Sequence, residues 1–220
     1  MRKLAGILST ALLVFSLCPA GAADQAAGAA GQSSFRYSLL GKQDDGALVA
    51  IDDGAVMRSG DLLKLNFEFP GSAWFYVCYR SSQSDYSLLY SSHAENNPDD
   101  QPIFSTLGWL ALDQNPGTES FTLVASPIRL SQLEELFAHY DQATGKLRKR
   151  YYKQIAKHLE RLHEGESPGT GVRLTRRLDK PVMGGVVFRG TTSAEITRHS
   201  LTHEASGKPL AIVTLTIQHD

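Results

Sequence analysis

The sequence predicts a mainly β (α+β) fold: an immunoglobulin-like antiparallel β-sandwich carrying a two-helix insertion. Three observations carry that expectation. Short stretches such as "FRYSLL" and "GDLLKLNFEF" alternate apolar and polar residues with period two. Clusters of Pro, Gly, Asn and Asp separate them, and the period changes to a helical one at Ser131. Many short strands with one helical interruption match the layered all-β architectures.

At the amino end, Arg2 and Lys3 precede an apolar run to Leu17, and the small residues Ala20-Gly21-Ala22 close it. This is the layout of a secretory signal peptide over residues 1–22, cleaved after Ala22 or Ala23, and too short for a membrane span. Leu17 is the wrong neighbour for lipidation at Cys18, so a bacterial exported product, periplasmic or secreted, is expected. Cleavage leaves Cys78 as the one cysteine, which excludes an intramolecular disulfide and leaves stability to packing. A small, flexible leader covers residues 23–34, and residues 35–220 suffice for a single β-sandwich-like domain with a full core. No transmembrane segment is expected after the signal.

Phe35, Tyr37 and Leu39 share one face of the first strand, and Leu63, Leu65, Phe67 and Phe69 one face of the next. "SAWFYVCYR" is apolar on both faces, as a central strand would be. "YSLLY", "LGWLAL" and "SFTLVAS" continue the series, with an exposed loop at residues 95–102. "SQLE" at 131–134 has the spacing of a capping box, in which Ser131 and Glu134 satisfy each other's free N–H groups. A short helix to about Tyr140, a break near Thr144-Gly145 and a second helix from Lys146 to His163 complete an insertion over about 131–164. On the second helix Leu147, Tyr151, Ile155, Leu159 and Leu162 fall in one arc, opposite a basic arc. Strands at about 171–217 follow: "GVRLTRRL", "VMGGVVF", "AEITRHSL" and "LAIVTLTI".

Charge is unevenly placed. Residues 24–145 hold six Lys/Arg against sixteen Asp/Glu, and residues 146–220 hold fourteen against seven. The second helix concentrates this, with seven basic residues against Glu160 alone over 146–163. Its polar arc, Lys149, Arg150, Lys153, Lys157 and Arg161, is the candidate surface for an anionic partner. The competing reading is a solvated helix face, facing the acidic strand half. Nucleic acid is not expected, because no aromatics interleave with these cations and an exported chain meets little of it.

No catalytic, cofactor-binding or metal-ligating set is expected. Cys78 stands among apolar and aromatic neighbours and is expected buried and inert. His199 and His203 lack a third ligand nearby and are expected as surface strand histidines. The glycines of "PGTG" and "VMGGVV" lack a phosphate-loop context, and the pairs Asp44-Asp45, Asp52-Asp53 and Asp99-Asp100 belong to turns. Ser126 closes a strand between Ala125 and Pro127, without the flanking glycines of a nucleophile elbow, and is expected to be structural.

From about 59 to 136 the ordered pieces resemble the domain of unknown function 4384 family. The pieces are a Gly-Asp strand start (Gly60, Asp61), an aromatic Tyr-Val strand (Tyr76, Val77) and a Leu-Leu-aromatic strand (Leu88 to Tyr90). A Pro-Gly-x-Glu turn (Pro116, Gly117, Glu119) then leads to a strand ending in Ala-Ser-x-x-x-Leu. Tyr90-Ser91 and Leu112-Asp113 depart from the family pattern. The resemblance implies a β-sandwich module of bacterial exported proteins and carries no catalytic residue. The expected function is therefore non-catalytic binding in the cell envelope to another envelope or secreted protein. The alternatives are attachment to an anionic membrane or cell-wall surface through the basic helix, and an uncharacterised hydrolase using Ser126.

Overall fold

Alternation along the strands is resolved into two sheets and two helices in a computed structural model that describes residues 32–43, 46–92, 101–165, 170–175 and 201–220. The signal peptide, most of the leader, Asp44-Asp45, Asp99-Asp100, "VMGGVVF" and His199 lie outside the described residues.

The first sheet has the order β10 (Gly171–Thr175), β11 (Thr202–Gly207), β1 (Ser33–Lys42), β4 (Leu62–Phe69) and β7 (Ile103–Thr106). The short β2 (Leu48–Ile51) also pairs with β1, and β8 (Leu110–Ala111) with β4. The second sheet has the order β3 (Ala55–Met57), β12 (Ala211–His219), β9 (Gly117–Ser126), β5 (Trp74–Arg80) and β6 (Tyr86–Ser92). The mainly β expectation holds, with one departure from antiparallel pairing: β3 runs parallel to β12. Three of the short strands, β2, β3 and β7, carry too few residues to show an alternation of their own.

Period two sorts the side chains of the second sheet into two buried clusters. Phe75 and Val77 of β5, Phe121 and Leu123 of β9, and Leu215 and Ile217 of β12 join Tyr37, Leu65 and Phe67 of the first sheet. The intervening residues Tyr76, Cys78, Val124 and Ile212 point the other way, against the helices. This is why "WFYVCYR" is apolar on both faces: β5 lies between β6 and β9 in the sheet and is covered on both sides. Cys78 is 1% exposed and burial pushes its thiol up to about 12.

The covering helices are α1 (Ser131–Gln142) and α2 (Gly145–Gly165), turned at Gly145 with φ +56°. Leu133, Phe137 and Tyr140 of α1 and Ile155, Leu159 and Leu162 of α2 face the sheet, the helical i, i+4, i+7 spacing the sequence displays. Leu147, in the first turn of α2, does not join them and is 48% exposed.

The capping box at 131–134 does not form. The boundary residue is Leu130 and no side chain caps the helix locally, so Ser131 falls inside the first turn. Its expected partner is engaged elsewhere: Glu134 is bound by the Arg129 guanidinium at 2.6 and 3.0 Å and accepts from the Tyr76 hydroxyl at 2.9 Å. That hydroxyl in turn accepts the Leu130 N–H at 2.9 Å. A residue of β5 thus does across space what the motif would do along the chain. Arg129 foremost, and Tyr76 with it, hold the Glu134 carboxyl below the usual carboxylate range despite its partial burial.

At the other end of α1, Tyr140 donates to Asp85 (2.7 Å), and Arg148 reaches the same oxygen (3.1 Å) while lying 4.1 Å over the Tyr140 ring. The Tyr140 hydrogen bond is the main reason Asp85 is held low. Both helices are therefore fastened to the β5–β6 turn. Among the described residues, no helix is long and apolar enough to cross a membrane.

Candidate functional site

Fastening one face of α2 to the sheet leaves the opposite face outward, and the basic residues lie there. Lys149, Arg150, Lys153, Lys157 and Arg161 are all exposed and line one groove of about 570 Å³. Lys146 extends the row, so the stripe runs i, i+3, i+4, i+7, i+11, i+15 along α2. At ~1.5 Å per residue that is on the order of 22 Å. Gln132 and Leu136 of α1 form the opposite wall, and among the described residues no carboxylate lines the groove. Among the described residues none of the five predicted cations forms an ion pair; Arg148, the one α2 arginine that does, lies off the stripe against Asp85. The structure brings all five predicted residues together.

The other candidates have plain structural roles. Ser126 is 1% exposed; its hydroxyl donates to the Ile128 carbonyl at 2.7 Å and accepts the Ile128 N–H at 3.2 Å. That is a local turn closure. His203 is not a surface strand histidine: it stacks on Tyr37 at 5.1 Å and its Nε2 lies 2.9 Å from Asp52. The pairing of β11 with β1 sets His203 opposite Tyr37 and turns it inward. Burial chiefly, with the nearby Asp53 and Asp52 carboxylates, pushes the Tyr37 phenol up to about 12.

Sequence reasoning missed a polar cluster at one end of the inter-sheet core. Glu119 (2% exposed) and His219 (4% exposed) lie 3.0 Å apart, Oε1 to Nε2. Glu119 also accepts the Tyr79 hydroxyl through Oε2 and the Ser82 N–H through Oε1 at 3.2 Å. His219 Nδ1 is 3.4 Å from Ser59 Oγ, whose hydroxyl donates to the Asp220 carbonyl at 2.9 Å. Burial and the Glu119 carboxylate both push the Tyr79 phenol up. A signal for this cluster was present. Glu119 is in phase with Phe121 and Leu123, His219 with Leu215 and Ile217, and Tyr79 with Phe75 and Val77. A polar residue in the apolar phase of a strand marks a buried polar contact.

Gly117 of the Pro-Gly-x-Glu turn and Asp61 of the Gly-Asp strand start shape the surrounding turns. Gly117 has φ +148°, and a Cβ there would stand 2.9 Å from the Ser82 side chain, so glycine lets the β5–β6 turn close on Glu119. Asp61 accepts the Arg58 N–H at 2.9 Å, closing the turn that starts β4. In comparisons with known proteins, no family model, curated protein or solved structure matches the chain.

Proposed function

We propose that this chain is an exported, non-catalytic binding module of the bacterial cell envelope that docks on an anionic membrane or cell-wall surface through α2. The single observation behind this reading is the row of cations lining one open groove with no carboxylate among the lining residues. Among the described residues no ion pair relieves their mutual repulsion, and an anionic surface would relieve it. An extended row of mainly lysine side chains suits a surface of spread charge more than a single shaped ligand.

The finer fold reading, an immunoglobulin-like sandwich akin to the domain of unknown function 4384 family, belongs to the same proposal. It is supported by the shared buried cluster between the sheets and by the structural duties of Asp61, Gly117 and Glu119. Burial of Ser126 and its ties to Ile128 support the non-catalytic reading. Contact with an envelope protein would draw on the same groove where that protein presents acidic residues.

The test is co-sedimentation of the protein with vesicles containing an anionic lipid, and with isolated wall polymer. Binding is expected to fall by at least about tenfold as salt rises from 50 to 500 mM, on the scale set by screening. Reversal of Lys149, Arg150, Lys153 and Lys157 to Glu is expected to abolish it, with the thermal midpoint unchanged. Absence of wild-type binding, or binding insensitive to salt, defeats the proposal.

A further inference from the structure

We propose that Asp113, Glu119 and His219 form a binding site for a divalent transition metal of the zinc class at the end of the inter-sheet core. One donor atom of each lies within 4.8 Å of the others. The topology makes this meeting. In the antiparallel β9–β12 pair Gly117 faces His219 and Glu119 faces Ile217, so Glu119 and His219 are diagonal neighbours on one face. Asp113 comes from the loop after β8, which is held by the Gly60 N–H on the Leu112 carbonyl at 2.9 Å.

The geometry suits a small cation. Tetrahedral zinc with bonds of about 2.0–2.2 Å sets its donors roughly 3.3–3.6 Å apart. His219 Nε2 and Glu119 Oε1, now 3.0 Å apart, need only separate by a few tenths of an ångström to take an ion between them. The supporting contacts are already those of a metal centre. The second nitrogen of His219 faces Ser59 Oγ, and the second oxygen of Glu119 accepts the Tyr79 hydroxyl. Such contacts fix ring and carboxylate orientation in metal sites. Asp113 accepts the Asn115 N–H and side-chain amide at 2.8 Å each, which orients the carboxylate and leaves a lone pair on each oxygen. Because Asp113 is exposed while its two partners are buried, it marks the side from which an ion enters.

Donor chemistry selects the ion. Two carboxylates balance a divalent charge, and the imidazole excludes the hard cations, which prefer oxygen ligands throughout. The site is independent of the basic groove.

The experiment is calorimetric titration of purified, EDTA-treated protein with zinc chloride, and with magnesium chloride as control. Zinc is expected to bind once per chain with a raised thermal midpoint, and magnesium not at all. Asp113→Asn is expected to weaken zinc at least about tenfold while leaving the midpoint in EDTA unchanged, because its side chain is exposed. His219→Gln is expected to abolish binding; should that variant fail to fold, Asp113→Asn decides alone. No zinc binding by the wild type overturns the site and leaves a hydrogen-bonded cluster only. Unchanged zinc affinity in Asp113→Asn also overturns it and assigns the ion to other histidines.

Discussion

Glu119→Ala is expected to lower the unfolding free energy by about 3–5 kcal/mol, since each polar group left without its partner in the interior costs roughly 1–3 kcal/mol. The loss does not come from the carboxylate's own packing. It comes from three groups deprived of an acceptor inside the protein: the Tyr79 hydroxyl, the Ser82 N–H and His219 Nε2. His219 Nε2 in particular regains no water easily, since its side chain is fully buried. Glu119→Gln keeps one carbonyl oxygen in place and is expected to lose about 1–3 kcal/mol, the cost of a single mismatched buried polar contact. Urea titration of both variants in EDTA measures the difference. A loss below about 1 kcal/mol for the alanine variant would mean the cluster is hydrated and not buried as described.

Phe75→Ala is expected to lose a comparable amount, about 3–5 kcal/mol, by leaving a cavity where the two sheets meet. Phe75 is fully buried, stacked on Phe69 at 4.7 Å and on Phe67 at 4.9 Å, with the edge of Phe35 at 5.2 Å. Its neighbours come from both sheets, so no single element can move in to fill the space without breaking a ladder. Phe104 is the control. It lies on β7 with 45% of its surface exposed, and its replacement by alanine is expected within about 0.5 kcal/mol of the wild type. The contrast reads directly from melting curves of the two variants. Equal losses would show that packing between the sheets is looser than the ring distances require.

Much of this architecture is legible along the chain, and the reason is periodicity. Phe35, Tyr37 and Leu39 alternate because one face of β1 is covered, and Ile155, Leu159 and Leu162 recur because one arc of α2 is. Both patterns are local records of burial. The basic stripe is legible for the same reason, since it is the complement of that apolar arc on the same helix.

Where two distant segments must meet, local pattern falls silent. Glu134 satisfies the capping motif in sequence, yet Arg129 and a tyrosine of β5 compete for it and win. His203 resembles a surface residue until β11 is set beside β1 and Tyr37 lies opposite. Glu119 and His219 are separated by 100 positions, and only the β9–β12 register makes them neighbours.

By itself, then, the sequence determined the long strands β1, β4, β5 and β9 and both helices, which arc of α2 is apolar and which is charged, and that Cys78 and Ser126 would be buried or structural. Those are consequences of burial repeated at fixed spacing, and spacing is written in the chain. The tertiary structure alone decided that the cations line an open groove, that β3 pairs in parallel, and that three polar side chains converge on one end of the core. Convergence depends on register between strands far apart in the chain, and register is set by packing of the whole domain.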